Sequence, residues 1–394
     1  MTEDRAAATE MGRDLLLDDA ALQAKYAKLR KNLLRLYAHR HFARAVDWCG
    51  DKIENLLLGK RLHAQIVAPV FITGYFRSGT TMLERALASH SAFAHFTYRS
   101  LGFPRAAYTS RLLTELASPM QQTWLLAHQP NMVVDNSWPF EGEPLWRYCR
   151  RNPWSPGDSD VLGADYSDPR FERILKRVIN KYLQLRGARR FLSKNPPDIL
   201  RIGYLARIFP DARFIHIVRH PLRMLRSQLD MESIFARIFS DMPRRDLNAA
   251  FSNTFLPPGR KFLRTARHAQ LQALSASQPA LAAAMNIVDV EAAWQAAVAG
   301  SQLQDRVHLI RYEDTLSDFQ GELRRIFAFV GLAGDEADAI SEAQAKTLLQ
   351  RNLTWSASAL PRFDAAVRAE LAALAEKYGY SLRPERQVEP EINP

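Results

Sequence analysis

The sequence is poor in cysteine: only Cys49 and Cys149 occur among 394 residues, a hundred positions apart. Two thiols so placed set up no disulfide framework and match no metal-ligand spacing, so a reducing, cytoplasmic setting is expected. No uninterrupted apolar run reaches the roughly 20 residues of a membrane span. The nearest, Pro279 to Val298, carries Asp289 and Glu291 and predicts a buried helix instead. The opening MTEDRAAATEMGRDLLLDDAALQ is acidic and lacks the basic start and apolar centre of a secretory leader. Internal repeats and low-complexity tracts are missing too. Negative charge is in deficit, 53 Lys and Arg against 42 Asp and Glu, for a formal +11. That excess attracts anions. It is dispersed, however, with no basic tail, zinc-finger spacing or RNA-recognition signature, so a small anionic ligand is expected rather than nucleic acid.

Leu22, Tyr26, Leu29, Leu33, Leu36 and Tyr37 recur at helical spacing among Lys25, Lys28, Arg30, Lys31, Arg35 and Arg40. This predicts a basic amphipathic helix packed on a domain edge, in preference to one lying on a membrane. It belongs to an N-terminal helical extension, residues 1–66. From there the period alternates. Ala68–Gly74 (APVFITG) predicts a buried strand and Thr81–Ser89 a helix; Phe191–Ser193 a strand and Asp198–Ile208 a helix. Arg213–Val218 and Val307–Arg311 predict two more strands, followed by helices at Pro221–Asp230 and Phe319–Val330. Alternation of this kind implies α/β architecture over residues 67–386, a three-layer sandwich around a central parallel sheet. A helical insertion occupies about 232–300. Its less regular part, up to Gln278, is interrupted by Pro243, Pro257 and Pro258 and is expected to form a lid or a substrate-facing piece. The polar end, 387–394, is expected to fray.

The stretch richest in chemistry is Gly74-Tyr75-Phe76-Arg77-Ser78-Gly79-Thr80-Thr81, between the first strand and its helix. Two glycines at that spacing form the frame of a phosphate loop, in which backbone N–H groups wrap an anion at a helix N-terminus. Ser78, Thr80 and Thr81 add hydroxyls. The lysine that reaches the β- and γ-phosphates of a triphosphate is absent, with Thr80 in its place, and Arg77 supplies the charge. The strand at 213–218 runs into Arg219 rather than a metal-binding acid, so magnesium chemistry is not expected.

These residues resemble the PAPS-dependent sulfotransferase family, in its bacterial and tyrosylprotein-type branch; PAPS is 3′-phosphoadenosine 5′-phosphosulfate. Gly74–Thr81 is similar to the family's 5′-phosphosulfate loop. Phe214–Ser227 (FIHIVRHPLRMLRS) is similar to its 3′-phosphate segment, which implies Arg219 and Ser227 as ligands of that phosphate. Ile310–Leu332 resembles the segment near the adenosine and puts Tyr312 beside the base; a core tyrosine is the alternative. Ser193-Lys194-Asn195-Pro196 resembles the lysine-bearing segment, and the resemblance implies Lys194, with Arg77, as the cations facing the leaving phosphate. Arg219 stands where an open α/β sheet is expected to hold a ligand phosphate, outside a strand's carboxyl end.

The resemblance also implies metal-independent, in-line sulfuryl transfer to a hydroxyl on a carbohydrate, lipid, small alcohol or phenol. The acceptor needs a base. Relatives of the tyrosylprotein type carry a glutamate in the region matching His95–Arg99, where this chain has none. Glu141 and Glu143, in Trp138–Trp146 (WPFEGEPLW), are the candidate bases, with His95 in reserve; the alternative is a pair of surface acids beside packed tryptophans. Two other functions remain: a non-catalytic phosphonucleotide-binding protein and a P-loop kinase-like enzyme. The second lacks its loop lysine and acid. The late stretch Arg351–Arg362 is a candidate for closing over the nucleotide.

Overall fold

The computed structural model describes residues 14–116, 137–150, 159–243, 262–333, 336–343 and 363–382. The middle of the insertion (244–261), the Arg351–Arg362 stretch and the 387–394 tail lie outside the described residues.

In chain order the main elements are α1 (Asp19–Lys25), α2 (Ala27–Ala38), α3 (Arg40–Leu58), β1 (Val70–Thr73), α4 (Thr80–Ala88), β2 (Phe93–His95), α5 (Ala107–Leu116), α6 (Glu143–Cys149), α7 (Pro169–Arg186) and β3 (Arg190–Lys194). They continue with α8 (Ile202–Ile208), β4 (Arg213–Val218), α9 (Pro221–Ile238), α10 (His268–Leu274), α11 (Pro279–Gly300), β5 (Val307–Arg311), α12 (Tyr312–Ser317), α13 (Phe319–Val330) and α14 (Ala365–Lys377). The strands form one parallel sheet in the order β2-β3-β1-β4-β5. The expected α/β sandwich is therefore what the chain builds.

Both faces of that sheet are covered, which is why its strands are continuous apolar runs. Successive β1 side chains point to opposite faces. Phe71 joins the core beneath α7, α8, α11 and α14, while Val70 and Ile72 join a second core with α4 and α13. β4 alternates likewise, Phe214 to the first core and Ile215 to the second. The Pro279–Val298 run is the buried helix expected of it: α11 is apolar all round and lies under the sheet. Two of its buried polar side chains are paired with tyrosines. Asn286 accepts from the Tyr75 hydroxyl at 2.8 Å, and Glu291 accepts from Tyr378 at 2.9 Å.

The N-terminal amphipathic pattern divides at Tyr26, where α1 stops and α2 begins. Leu22 and Tyr26 are buried against Ile234 and Ile238 of α9 and the Phe239 that follows it, so the start of the extension is packed on the domain. α7 packs on β2, α5 packs on α7 and α3 packs on α5; α3 falls within the expected N-terminal helical extension, whereas α5 and α7 were not anticipated.

Candidate active site

β1 lies centrally, and the chain leaves it for β2 on one side before crossing to β4 on the other. Such a reversal opens a crevice outside the carboxyl ends of the strands. The Gly74–Gly79 loop fills this place. Its shape depends on both glycines. A Cβ on Gly74 (φ 155°) would stand 2.5 Å from the Ile217 carbonyl oxygen, and one on Gly79 (φ 105°) 2.4 Å from the Tyr312 ring. Arg77 also holds a left-handed φ, 68°, at a cost of about 1 kcal/mol for a residue with a side chain. The turn ends with Gly79 capping α4, whose first N–H groups have no intrahelical partners and open toward the loop. Ser78 is buried within it, and its Oγ has no hydrogen-bond partner among the described residues. Thr80 is buried at the first helical position and Thr81 is half-buried.

The second phosphate motif converges on the first. Arg219, at the end of β4, donates to the Arg77 carbonyl at 2.9 Å. The Arg77 guanidinium donates to Ser227 Oγ on α9 at 3.0 Å. Tyr312 closes the side, with the Arg219 guanidinium carbon 4.7 Å from its ring centroid. Arg77, Ser78, Arg219, Ser227 and Tyr312, scattered over the sequence, thus meet at one strand-end crevice.

On the other side of β1, Lys194 ends β3 in register with Ile72. It is buried and donates to Glu141 Oε1 at 2.7 Å, with Glu84 Oε2 at 3.6 Å. Burial alone would lower the Lys194 pKa, but the Glu141 and Glu84 carboxylates outweigh it and the ammonium is held charged. Burial also acts on Glu84, raising it to about 7 even though Lys194 opposes the shift.

Glu141 reaches this place because its segment pairs with the residues after β2. Phe140 N–H donates to the Phe96 carbonyl and Tyr98 N–H to the Trp138 carbonyl, at 2.9 and 3.2 Å. The His95–Arg99 region, which has no acid of its own, is thus paired with a chain segment that carries Glu141. Gly142 permits the approach, since a Cβ there would lie 2.6 Å from the Phe96 ring. The Tyr98 and Phe140 rings meet tilted, with centroids 4.6 Å apart, and Arg85 lies 4.4 Å over Trp138, so the wall beside Glu141 is largely aromatic.

Glu143, two residues on, faces elsewhere. It is buried and accepts from Arg201 and Asn195 at 2.8 and 2.9 Å. Burial pushes its pKa up, but the Arg201 charge more than reverses this and holds the carboxyl at about 2. Arg201 itself packs 4.2 Å over Trp146. The Glu143 carboxylate is thus taken up by Arg201 and Asn195, whereas Lys194 meets Glu141 and Glu84. His95 is engaged on both nitrogens, with the Phe96 carbonyl and Arg186 each at 2.9 Å. Burial lowers its pKa to about 4. Glu84 is the residue that sequence reasoning missed. It sits on α4 between Leu83 and Leu87, and only knowing where Lys194 ends β3 would have drawn attention to it.

A profile of the sulfotransferase family matches residues 69–336, which span the loop, Lys194, Arg219 and Tyr312. The omega-hydroxy-beta-dihydromenaquinone-9 sulfotransferases Stf3 of Mycobacterium tuberculosis and Mycobacterium bovis are each 26% identical over 315 residues, 75% of this chain and 71% of theirs. Among crystal structures, sulfotransferase STF1 of Mycobacterium tuberculosis superposes with a TM-score of 0.52 at 17% identity, over 91% of this chain and 93% of that one. Sulfotransferase STF9 of Mycobacterium avium does so with a TM-score of 0.50 at 14% identity, over 84% and 82%. Those two likenesses speak for the fold. The profile covers more than half the sequence and every element of the crevice, and the chain belongs to the sulfotransferase family.

Proposed function

We propose that the protein transfers the sulfuryl group of PAPS to a hydroxyl on a largely apolar acceptor, by in-line displacement without a metal. The observation that carries this reading is the buried, unpartnered Ser78 Oγ inside a glycine-framed loop, flanked by Arg77, Arg219 and Ser227. A buried hydroxyl without a partner costs about 1–3 kcal/mol, which an oxygen of the donor would relieve. The crevice fits an adenosine bisphosphate in kind. A helix N-terminus and hydroxyls suit a 5′-phosphosulfate, Arg219 and Ser227 suit a 3′-phosphate, and the Tyr312 ring offers an adenine a flat neighbour.

When bound, the donor supplies the sulfuryl group and a phosphate leaving group. The remaining work falls to the chain. Glu141 takes the proton of the acceptor hydroxyl, and Lys194 balances negative charge at the leaving oxygen, supported by Arg77. The ion pair couples these two tasks. As Glu141 gains a proton it loses its charge, and the Lys194 ammonium is freed to serve the departing phosphate. Glu84, behind Lys194, adds its carboxylate's field in favour of the charged ammonium.

The acceptor class follows from the wall of Tyr98, Trp138 and Phe140, which would shelter an apolar alcohol from water. The Stf3 relatives are named for an omega-hydroxy quinol lipid, and a hydroxyl on a long apolar chain is the acceptor this wall favours. The test is sulfate transfer from labelled PAPS to matched panels of apolar alcohols, phenols and sugars, beside calorimetry with adenosine 3′,5′-bisphosphate. Labelled apolar products are expected. Tight nucleotide binding with no product from any class would make the protein a binder.

A further inference from the structure

Helix α3 is built inside out. Its buried positions are Asp47, Gly50, Asp51 and Glu54. Its outward positions include Phe42, Trp48, Ile53, Leu56 and Leu57, which are 71%, 54%, 58%, 83% and 77% exposed. A helix on a water-soluble domain normally turns its apolar stripe to the core and its charges to solvent. Here the opposite orientation is fixed by ion pairs. Asp51 and Glu54 hold the fully buried Lys181 of α7 at 2.8 and 3.0 Å. Asp47 binds the Arg105 side chain at 2.7 Å and accepts from the backbone N–H groups of Arg105 and Ala106. Glu54 accepts from Thr109 N–H, at the start of α5, at 2.7 Å. Rotating α3 to hide its leucines would strand Lys181 without its carboxylates, so the apolar face is locked outward.

All three acids of α3 point inward, so the charge framing the outward face is positive. Lys52 lies 5.7 Å over the Trp48 ring, and Lys60 and Arg61 follow at the exposed end of the helix. Leu112 of α5, the helix that packs on α3, is also exposed, and Glu115 of the same helix is tied to Arg111 at 2.7 Å. An apolar face framed by cations fits the boundary between acyl chains and anionic headgroups, with lysine stems lying along the apolar surface. A second copy of this chain would fit it less well, because two-fold pairing sets Lys52, Lys60 and Arg61 of each protomer against their own kind. α3 is linked to the Glu141 side of the sheet through α5, which packs on the turn Tyr98–Leu101, and the Tyr98 ring lies tilted against Phe140. Among the described residues no helix is long and apolar enough to cross a membrane.

We propose that the outward face of α3, with Leu112 of α5, docks the protein on an anionic phospholipid surface. The contact is peripheral: apolar side chains enter the interface while Lys52, Lys60 and Arg61 meet headgroup phosphates. It stands apart from the catalytic reading, since docking requires neither donor nor turnover.

The test is co-sedimentation of the full chain with phosphatidylglycerol–phosphatidylcholine vesicles and with phosphatidylcholine vesicles, run beside light scattering in vesicle-free buffer. The wild type is expected to bind the anionic vesicles and to bind neutral ones more weakly. A triple variant, Phe42→Ser with Ile53→Ser and Leu56→Ser, should lose at least about tenfold in vesicle affinity. Lys52→Glu with Lys60→Glu and Arg61→Glu should erase the preference for anionic vesicles. Because these side chains point outward, unchanged melting and unchanged binding of adenosine 3′,5′-bisphosphate will show the fold intact. Failure of the wild type to bind either vesicle overturns the proposal. So does a wild-type dimer that the triple variant turns into monomers, which would assign the face to a second copy. Vesicle binding without sulfate transfer would leave docking standing and refute only the catalytic reading.

Discussion

The two banks of the crevice are built by different means. The bank we assign to the donor is a backbone structure, a turn shaped by Gly74 and Gly79 with two arginines and a serine drawn onto it. The bank we assign to the acceptor consists of side chains: Lys194 between Glu141 and Glu84, behind an aromatic wall. Backbone N–H groups recognise an anion with little dependence on what surrounds them, so the first arrangement suits a donor common to many reactions. The second depends on which long side chains meet. It is where a substrate preference can change without disturbing the loop. Within the acceptor bank the contrast repeats, since Glu141 and Glu143 are two residues apart yet one faces the crevice and the other an arginine core.

The most severe test of this division is at Glu141 and Lys194. Glu141→Gln should lower turnover by about 10²–10⁴, the usual worth of a general base. Lys194→Ala should lower it by about 10²–10³. In both, steady-state kinetics beside calorimetry should show affinity for adenosine 3′,5′-bisphosphate changing far less than kcat; an equal loss in both would merge the two banks. Glu143→Gln should do the reverse of Glu141→Gln. Removing one partner of a buried ion pair costs about 3–5 kcal/mol, so thermal unfolding should register the change first.

On the donor bank, Arg219→Ala should weaken adenosine 3′,5′-bisphosphate by on the order of 2 kcal/mol, about 30-fold, while leaving kcat at saturating donor closer to the wild type.

Acid titration of stability should separate two carboxylates by sign. The Glu143 pKa is depressed to about 2, so its contribution is present above its ordinary 4.5 and is lost as pH falls toward 2. The Glu84 pKa is raised to about 7, so its contribution is present below 4.5 and is lost as pH rises through 7. Melting curves of Glu84→Gln against wild type should therefore diverge in the variant's favour across that upper window. The smallest expected effect is from EDTA, which should leave sulfate transfer unchanged.

The donor bank was legible in the sequence because its signals are local. Glycine spacing, strand-then-helix context and an arginine at a strand end each leave a short pattern, and the sheet that assembles them follows from alternation. The acceptor bank was legible only as a pair of choices. Glu141 and Glu143 have the same neighbours in sequence. What separates them is Lys194 on one side and Arg201 on the other, partners 53 and 58 residues away. Glu84 was invisible for a related reason: an acid inside an apolar helix face acquires meaning only when β3 delivers an ammonium to it. Helix α3 misleads any reading that assumes apolar faces turn inward, since ion pairs with Lys181 and Arg105 decide its orientation.

The central claim is that one crevice holds a 5′-linked phosphate in the glycine turn and a 3′-phosphate on Arg219 and Ser227. Calorimetry of wild type and Arg219→Ala with adenosine 3′,5′-bisphosphate and with AMP tests it most directly. The account predicts that the bisphosphate binds the wild type at least about 30-fold more tightly than AMP, and that the substitution removes most of that margin. Equal affinity of the wild type for the two nucleotides would contradict it.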